Sequence, residues 1–322
     1  MVSSGVSRGE QLTDVIKRYL VGAPTEVGSI DLASLRRRLD AAALLIEPAL
    51  AARGIDAIAL TKEKIGALGD CERFAAALLS GRTSLGNVDA MARGVLFETL
   101  VRSHVTRGVR AYRPPADARA TLKLAVELVR AESADHDDDP VRARCLAIGE
   151  EESPAWAEQL WGSFRDLVAG WPRFEEAWWP RTEEPAKVAL GTGTVVLSGR
   201  FDIVLGGAPT GLPTIVVELK SGVPHRHYVD DQRFYALLAT LRDDAAPAAV
   251  VTCSASDAGT ELATDIVDVP LLSEAVERVE SALDRLRRIV VGEPLAEQAG
   301  WRCAYCPDCD VCPSFVAPSV IA

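Results

Sequence analysis

No apolar run in the chain approaches the roughly 20 residues that a membrane-spanning helix requires, which excludes a helical integral membrane protein. The opening "MVSSGVSRGEQLTDV" lacks the apolar stretch of a secretory signal, so the chain is expected to work in the cytoplasm. No GxxxxGKS or GxxxxGKT phosphate loop occurs, which excludes an ATP motor of the usual kind. Positive charge is in deficit as well: 35 Lys and Arg stand against 46 Asp and Glu, a net charge of −11. That balance excludes a protein that coats nucleic acid by overall attraction, and leaves room for a local basic groove or a basic partner. Repeats and low-complexity tracts are also absent.

What is present is a chain of 322 residues, 48% hydrophobic, long enough to bury a core as one large or two ordinary domains. Residues 10 to 60 read as a helical preface, with apolar spacing around "LASLRRRLDAAALLIEPALAARG" and a stop at Gly54. A second helical region covers about 73 to 108, broken near "SGRTSLGN", and a third opens after the prolines of "RPPADARATLKLAVELVRAE". The run "DHDDDP" at 135–140 reads as a solvated loop. Trp156, Trp161, Trp171, Trp178 and Trp179 fall in a segment that is helical before Gly170, and read as packing residues before base-stacking ones.

After Pro185 the period changes. "KVALGTGTVVLSG", "RFDIVLGG" and "TIVVELKSG" predict three strands of a meander. "HYVDDQRFYALLATLRDD" returns to a helix, "APAAVVTCSA" is a buried strand, and "LLSEAVERVESALDRLRRIVVG" is a long amphipathic helix. The order predicts an α/β fold with a mixed sheet. Three regions are expected: a helical one over 1–70, an α/β domain over 71–300 with a helical insertion near 112–180, and a Cys-rich tail over 301–322.

Strand alternation puts Glu218, Lys220 and Val216 on one face and Ile215, Val217 and Leu219 on the other. In the preceding segment it sends Phe201, Ile203 and Leu205 one way and Arg200, Asp202 and Val204 the other. If the two strands pair, Asp202 converges on Glu218 and Lys220. Two carboxylates held close repel, and a hard divalent cation relieves that repulsion; a neighbouring lysine then has a water to orient. Taken alone, the Glu-x-Lys pair also suits an edge strand that uses charge to block further pairing.

In order along the chain, "GVLFE" (94–98), "GRFD" (199–202), "ELK" (218–220) and "QRFY" (232–235) resemble the motifs of the PD-(D/E)xK nuclease superfamily, in particular its RecB-like branch. The resemblance implies a restriction-endonuclease-like core and a Mg²⁺- or Mn²⁺-dependent deoxyribonuclease. Asp202, Glu218, the Leu219 carbonyl and Glu98 would hold the metal, Lys220 would manage the attacking water, and Gln232 and Tyr235 would stand in the fourth motif. Gly94 and Glu98 share a helix face. The branch usually has histidine where this chain has Glu98, and an ion pair of Glu98 with Arg102 is the alternative reading. Here Gln232 and Tyr235 are one residue closer than in the family, and Tyr228 lies on the same helical stripe. His225, His227 and Arg233 are candidate phosphate contacts.

Seven cysteines, an odd number gathered mainly at one end, favour metal or cluster ligation over disulfides in a reducing compartment. In "CAYCPDCDVCP", Cys303, Cys306 and Cys312, with Cys71 upstream in "GDCERFAAALL", resemble the ligand set of iron-sulfur members of this branch, such as the AddB nuclease domain and CRISPR-associated exonucleases. That implies a structural [4Fe-4S] cluster with Cys309 spare; zinc in the four tail cysteines is the alternative. Cys145 and Cys253 read as buried thiols. The resemblance also implies DNA as substrate, with single-stranded ends favoured, and a helicase or other protein partner in repair, recombination or phage defence. The competing class is an inactive member of the superfamily that binds DNA or a partner without cutting.

Overall fold

The computed structural model describes residues 11–22, 30–82, 86–108, 114–132, 139–151, 153–225, 227–256 and 259–315. Most of the acidic run expected as a loop lies outside them. The helices are α1 (Leu12–Ile16, continued by a π-helical turn over Lys17–Val21), α2 (Leu32–Ala52), α3 (Lys62–Asp70), α4 (Glu72–Leu79), α5 (Val88–Gly108), α6 (Ala118–Glu132), α7 (Pro140–Glu151), α8 (Pro154–Ala169), α9 (His227–Asp243) and α10 (Val269–Val291). Their ends follow local chemistry. Asp31, Thr61 and Asp268 accept from the N–H groups of Ser34, Lys64 and Leu271 to start α2, α3 and α10. Gly292, at φ +82°, ends α10 in the left-handed region.

Six strands form one sheet: β1 (Ile58–Leu60), β2 (Arg181–Leu190), β3 (Val195–Gly207), β4 (Leu212–Ser221), β5 (Ala249–Ser256) and β6 (Gly259–Ile266). The order is β1-β3-β4-β5-β6, with β2 also on β3. The pairs β1/β3 and β4/β5 are parallel and the others antiparallel, so the sheet is mixed, as expected. One face buries Ile203, Leu205, Ile215, Val217 and Leu219 beneath α1 and α5–α8. The other buries Val195, Leu197, Phe201, Val204 and Val216 beneath α2, α3, α9 and α10. Of the tryptophans, Trp171 is buried and Trp156, Trp161 and Trp178 pack against the first face, while Trp179 is more exposed and lies against Arg181.

Several expectations need correction. The first seventy residues are not helical throughout, because Ile58–Leu60 join the sheet as β1. The strand break expected at Ser198–Gly199 lies instead at Gly191–Thr194, where Gly191 and Gly193 take φ of +59° and +100°. Gly199 sits inside β3 for a different reason: a Cβ there would come within 2.9 Å of Tyr235 and Leu238 on α9. Phe201 and Ile203 do not share a face, since they enter opposite core clusters. β6, in "GTELATDI", has no expected counterpart; only Leu262 of it is buried, so its pattern is weak and pairing with β5 defines it.

The switch of faces at Phe201 positions the site. β2 runs along one edge of β3. On the other edge, β1 pairs with residues 195–197 and β4 with residues 203–207. Residues 198–202 therefore lie in a fork with no strand beside them on that edge, and Asp202 is at its closed end.

Candidate active site

A cavity of about 1480 Å³ opens at this fork, lined among others by Glu98, Asp202, Glu218, Lys220, Tyr235 and Lys62. The register of Ile203 with Val217 and Val204 with Val216 carries Asp202 next to Glu218. The Leu219 N–H donates to Asp202 Oδ2 at 2.7 Å, so the strand that presents Glu218 and Lys220 also orients Asp202. Glu218 is 4% exposed. Its Oε1 accepts from Lys220 Nζ at 2.5 Å and from Lys62 Nζ; its Oε2 is buried with no hydrogen-bond partner. Glu98 arrives from α5, which belongs to the opposite face of the sheet, and reaches the cavity at the fork.

Lys62 and Asp231 were not foreseen from the sequence. Lys62 is the first residue of α3, a position where the helix dipole disfavours a cation; the carboxylates facing it compensate. Asp231 Oδ2 stands 3.8 Å from Lys62 Nζ and 3.9 Å from Lys220 Nζ. The two ammonium groups also lie over rings, Lys62 4.8 Å from the centroid of Tyr235 and Lys220 5.3 Å from that of Tyr228. The "DD" before Gln232 is visible in the sequence, but nothing local to "TKEK" marks Lys62 as a partner of Glu218, 156 residues away.

The electrostatics follow from four carboxylates and two ammonium groups in a buried space. Burial raises the Asp202 carboxyl well above its ordinary range, and Glu218 and Glu98 raise it further. Burial likewise pushes Glu98 up to about 7, with Lys220 opposing and Glu218 assisting. Burial also acts upward on Glu218, but Lys62 and Lys220 outweigh it and hold this carboxylate below its usual value. Lys62 is raised well above an ordinary lysine because Glu218, Tyr235 and Asp231 overcome its burial. Glu218 is thus the anionic centre, and burial favours the neutral forms of Asp202 and Glu98, a bias that a further cation would oppose.

Other expected residues fall in different places. The guanidinium of Arg102 binds Glu183 at 2.5 Å and Glu132 at 3.2 Å, so no ion pair with Glu98 forms among the described residues. Gln232 points away from the cavity: it is 2% exposed, and its Nε2 donates to the Ala263 carbonyl of β6 at 2.9 Å. Arg233 pairs with Glu274 at 2.9 Å. His225 and His227 line the cavity rim, stacked on one another, with His227 stacked on Trp301 of the tail at 4.8 Å.

The tail docks beside α3 and α4. Arg73 binds Glu297 at 2.7 Å, Arg302 binds Asp70 at 2.7 Å, and Arg82 binds Asp308 at 2.5 Å. All seven cysteines are free thiols. Burial pushes the Cys306 thiol up, the Asp308 backbone hydrogen bond opposes it, and the charges of Asp308, Cys71 and Cys312 add to it. The Gly300 N–H points at Cys303 Sγ at 3.5 Å, while Cys309 Sγ lies 3.7 Å from Asp310. Cys145 and Cys253 are buried. Among the described residues, no group of three or more His, Cys, Asp or Glu stands ready-made to hold a metal ion.

The donor chemistry of the fork nevertheless suits a hard cation: oxygen ligands, a surplus of carboxylates, and a buried Glu218 Oε2 without a partner. No curated protein matches the chain. Among solved structures it is similar to SSO0001, at 13% identity over 86% of this chain and 98% of that one, with a TM-score of 0.35. It is also similar to a candidate exonuclease from Eubacterium rectale, at 12% identity over 85% and 90%, with a TM-score of 0.42. The family model of the PD-(D/E)XK nuclease superfamily matches residues 67–313, a span that takes in Glu98, Asp202, Glu218, Lys220 and every cysteine discussed above. With well over half its length so matched, the chain belongs to the PD-(D/E)XK nuclease superfamily.

Proposed function

We propose that the fork is the active site of a divalent-metal-dependent deoxyribonuclease that hydrolyses phosphodiester bonds, with single-stranded DNA or DNA ends as substrate. The observation that carries this is Glu218: one carboxylate oxygen held by Lys220 and Lys62, the other buried and unpartnered, with Asp202 on the neighbouring strand. Asp202, Glu218 and Glu98, with the Leu219 carbonyl, would hold Mg²⁺ or Mn²⁺. Bound there, the ion supplies Lewis-acid stabilisation of the charge that develops on the phosphoryl group. Lys220 orients the attacking water through its ammonium and aids loss of its proton. The Leu219 N–H keeps Asp202 in place, and the Tyr235 and Tyr228 rings fix the two lysines. Water oxygen joins phosphorus and gives its proton to solvent, while the P–O bond to the leaving nucleoside breaks and that oxygen takes up a proton from solvent.

Cleavage of labelled single- and double-stranded DNA in Mg²⁺ or Mn²⁺ by the purified chain, beside Lys220→Ala and Asp202→Ala, tests this. Activity that requires both side chains supports it; equal activity in all three proteins, or none in the wild type, overturns it. One observation favours a second reading, in which the fold binds DNA without cutting: the Lys62 ammonium already sits on Glu218, in competition with any metal. Absence of Mg²⁺ or Mn²⁺ binding in calorimetry would select that reading.

For the tail, we infer a [4Fe-4S] cluster held by Cys71, Cys303, Cys306 and Cys312. The bond of Arg73 on α4 to Glu297 of the tail, and the upward push that Cys71 and Cys312 exert on the Cys306 thiol, support it. Iron and sulfide analysis after anaerobic purification decides the matter, and one zinc with no iron would mean a zinc site instead. With no ATP motor in the chain, any unwinding falls to a helicase partner, in a cytoplasmic role in repair, recombination or phage defence.

A further inference from the structure

Behind the active-site cavity, across the end of β4, lies a second cavity of about 360 Å³. Strand alternation turns Lys220 toward the first cavity and Ser221 toward the second. Helix α5 does the same with Glu98 and Arg93. The wall between them is thin because residue 94 is glycine: a Cβ there would meet Ser221 Oγ at 3.1 Å.

The second cavity holds a buried donor that no acceptor among the described residues meets. The Arg93 Nε is buried without a hydrogen-bond partner. The guanidinium rests 5.4 Å from the centroid of Trp156, which holds it without neutralising it. Among the described residues no carboxylate pairs with Arg93, in a chain where acids outnumber bases 46 to 35. The hydroxyls of Ser163 and Ser221 line the same space and bond to no other described residue. A guanidinium offers donors only, and an arginine kept from carboxylates beside free hydroxyls matches an acceptor-only, doubly oxygenated anion, for which bidentate arginine contacts are strongest.

We propose that this cavity binds a phosphate group of the substrate strand, one position from the phosphate being cut, with Arg93 as the principal contact and Ser163 and Ser221 as its companions. The proposal rests on the nuclease reading of the neighbouring site. A strand crossing the end of β4 at Ser221–Gly222 would place successive phosphates on the two sides of this wall, so that the second cavity sets which bond reaches Lys220. The same chemistry serves a terminal phosphate monoester and an internal phosphodiester.

The test uses the full chain with Asp202→Asn to silence cleavage, and fluorescence anisotropy with single-stranded decamers ending in 5′-phosphate, 3′-phosphate or hydroxyls only. Adding Arg93→Gln should weaken binding about tenfold or more, the size of a lost charge-assisted contact. Ser163→Ala should weaken it a fewfold, and Arg93→Lys should recover part of the loss; unchanged melting temperatures confirm that each variant folds. A loss confined to one phosphorylated end identifies the terminal phosphate, and an equal loss with hydroxyl ends identifies the internal diester. Affinities within twofold in every arm, or no binding of any strand by the Asp202→Asn protein, overturn the proposal. Cleavage by the wild type is scored separately: no cutting beside an intact Arg93 effect sinks the catalytic reading alone, and normal cutting with no Arg93 effect sinks this one alone.

Discussion

Glu218 Oε1 accepts from two ammonium groups while Oε2 has no partner, and the two lysines are expected to differ in role. Lys220→Ala should lower the single-turnover cleavage rate by about 10²–10⁴, the usual reach of a positioned proton-transfer group, without weakening Mg²⁺ binding in calorimetry. Lys62→Met should have another signature. It removes one of two counter-charges from a buried carboxylate, which costs the metal-free fold about 3 kcal/mol, and it removes a competitor for that oxygen, so Mg²⁺ should bind more tightly. Urea unfolding and calorimetry measure the two effects. His227 offers a pH test. Burial, then His225, Arg302 and Lys220, hold its imidazole down to about 4, whereas an unfolded histidine protonates near 6.5. Between those values the unfolded chain binds the extra proton, so this contribution to stability is complete above about pH 6.5 and is lost as pH falls toward 4. An NMR titration should find the His227 ring neutral at pH 5; protonation near 6.5 would contradict this reading.

At the scale of elements, the site depends on the hairpin that sets β3 against β4. The register shifts between Leu205 and Gly207, and Gly206 stands at the shift with φ +72° and a Cβ position only 2.0 Å from the Pro213 carbonyl oxygen. No side chain fits there, and the backbone conformation is itself unfavourable for one. Gly206→Ala should therefore cost about 3 kcal/mol or more in urea unfolding; a change below about 1 kcal/mol would mean the hairpin tolerates another register. The sequence announced β3 and β4 and the turn between them, and misplaced the join of β2 to β3 instead. A glycine required for the approach of α9, Gly199, carries the same letter as one required for a turn, and only the packing of Tyr235 and Leu238 distinguishes them.

For the whole molecule, the main question is how residues near 71 and near 300 are held together. Ion pairs from Arg73, Arg82 and Arg302 already dock the tail, but pairs that water still reaches are worth little individually. A cluster ligated by Cys71 and the three tail cysteines would close a loop of more than two hundred residues, with a stabilisation of about 5 kcal/mol on the chain-entropy argument. Cys71→Ser is then expected to lower both iron content and melting temperature, the latter by on the order of 10 °C, and Cys303→Ser should match it. A Cys309→Ser protein should keep both. Equal losses for Cys309→Ser would move the ligand set onto the four tail cysteines.

Local periodicity was enough to place Glu218 and Lys220 on one face, to set Asp202 in the strand before them, and to mark the long helices, because strand alternation and helical spacing are properties of neighbours in sequence. The sequence by itself determined the α/β class and the types of residue offered for chemistry. Tertiary structure decided the rest. It brought Lys62 onto Glu218 from the other side of the fork, turned Gln232 away to the Ala263 carbonyl, gave Arg102 to Glu183 and Glu132 in place of Glu98, and left the buried Arg93 Nε without an acceptor among the described residues. Each of these depends on which distant carboxylate or carbonyl packing brings within about 3 Å, and short-range patterns do not encode that distance.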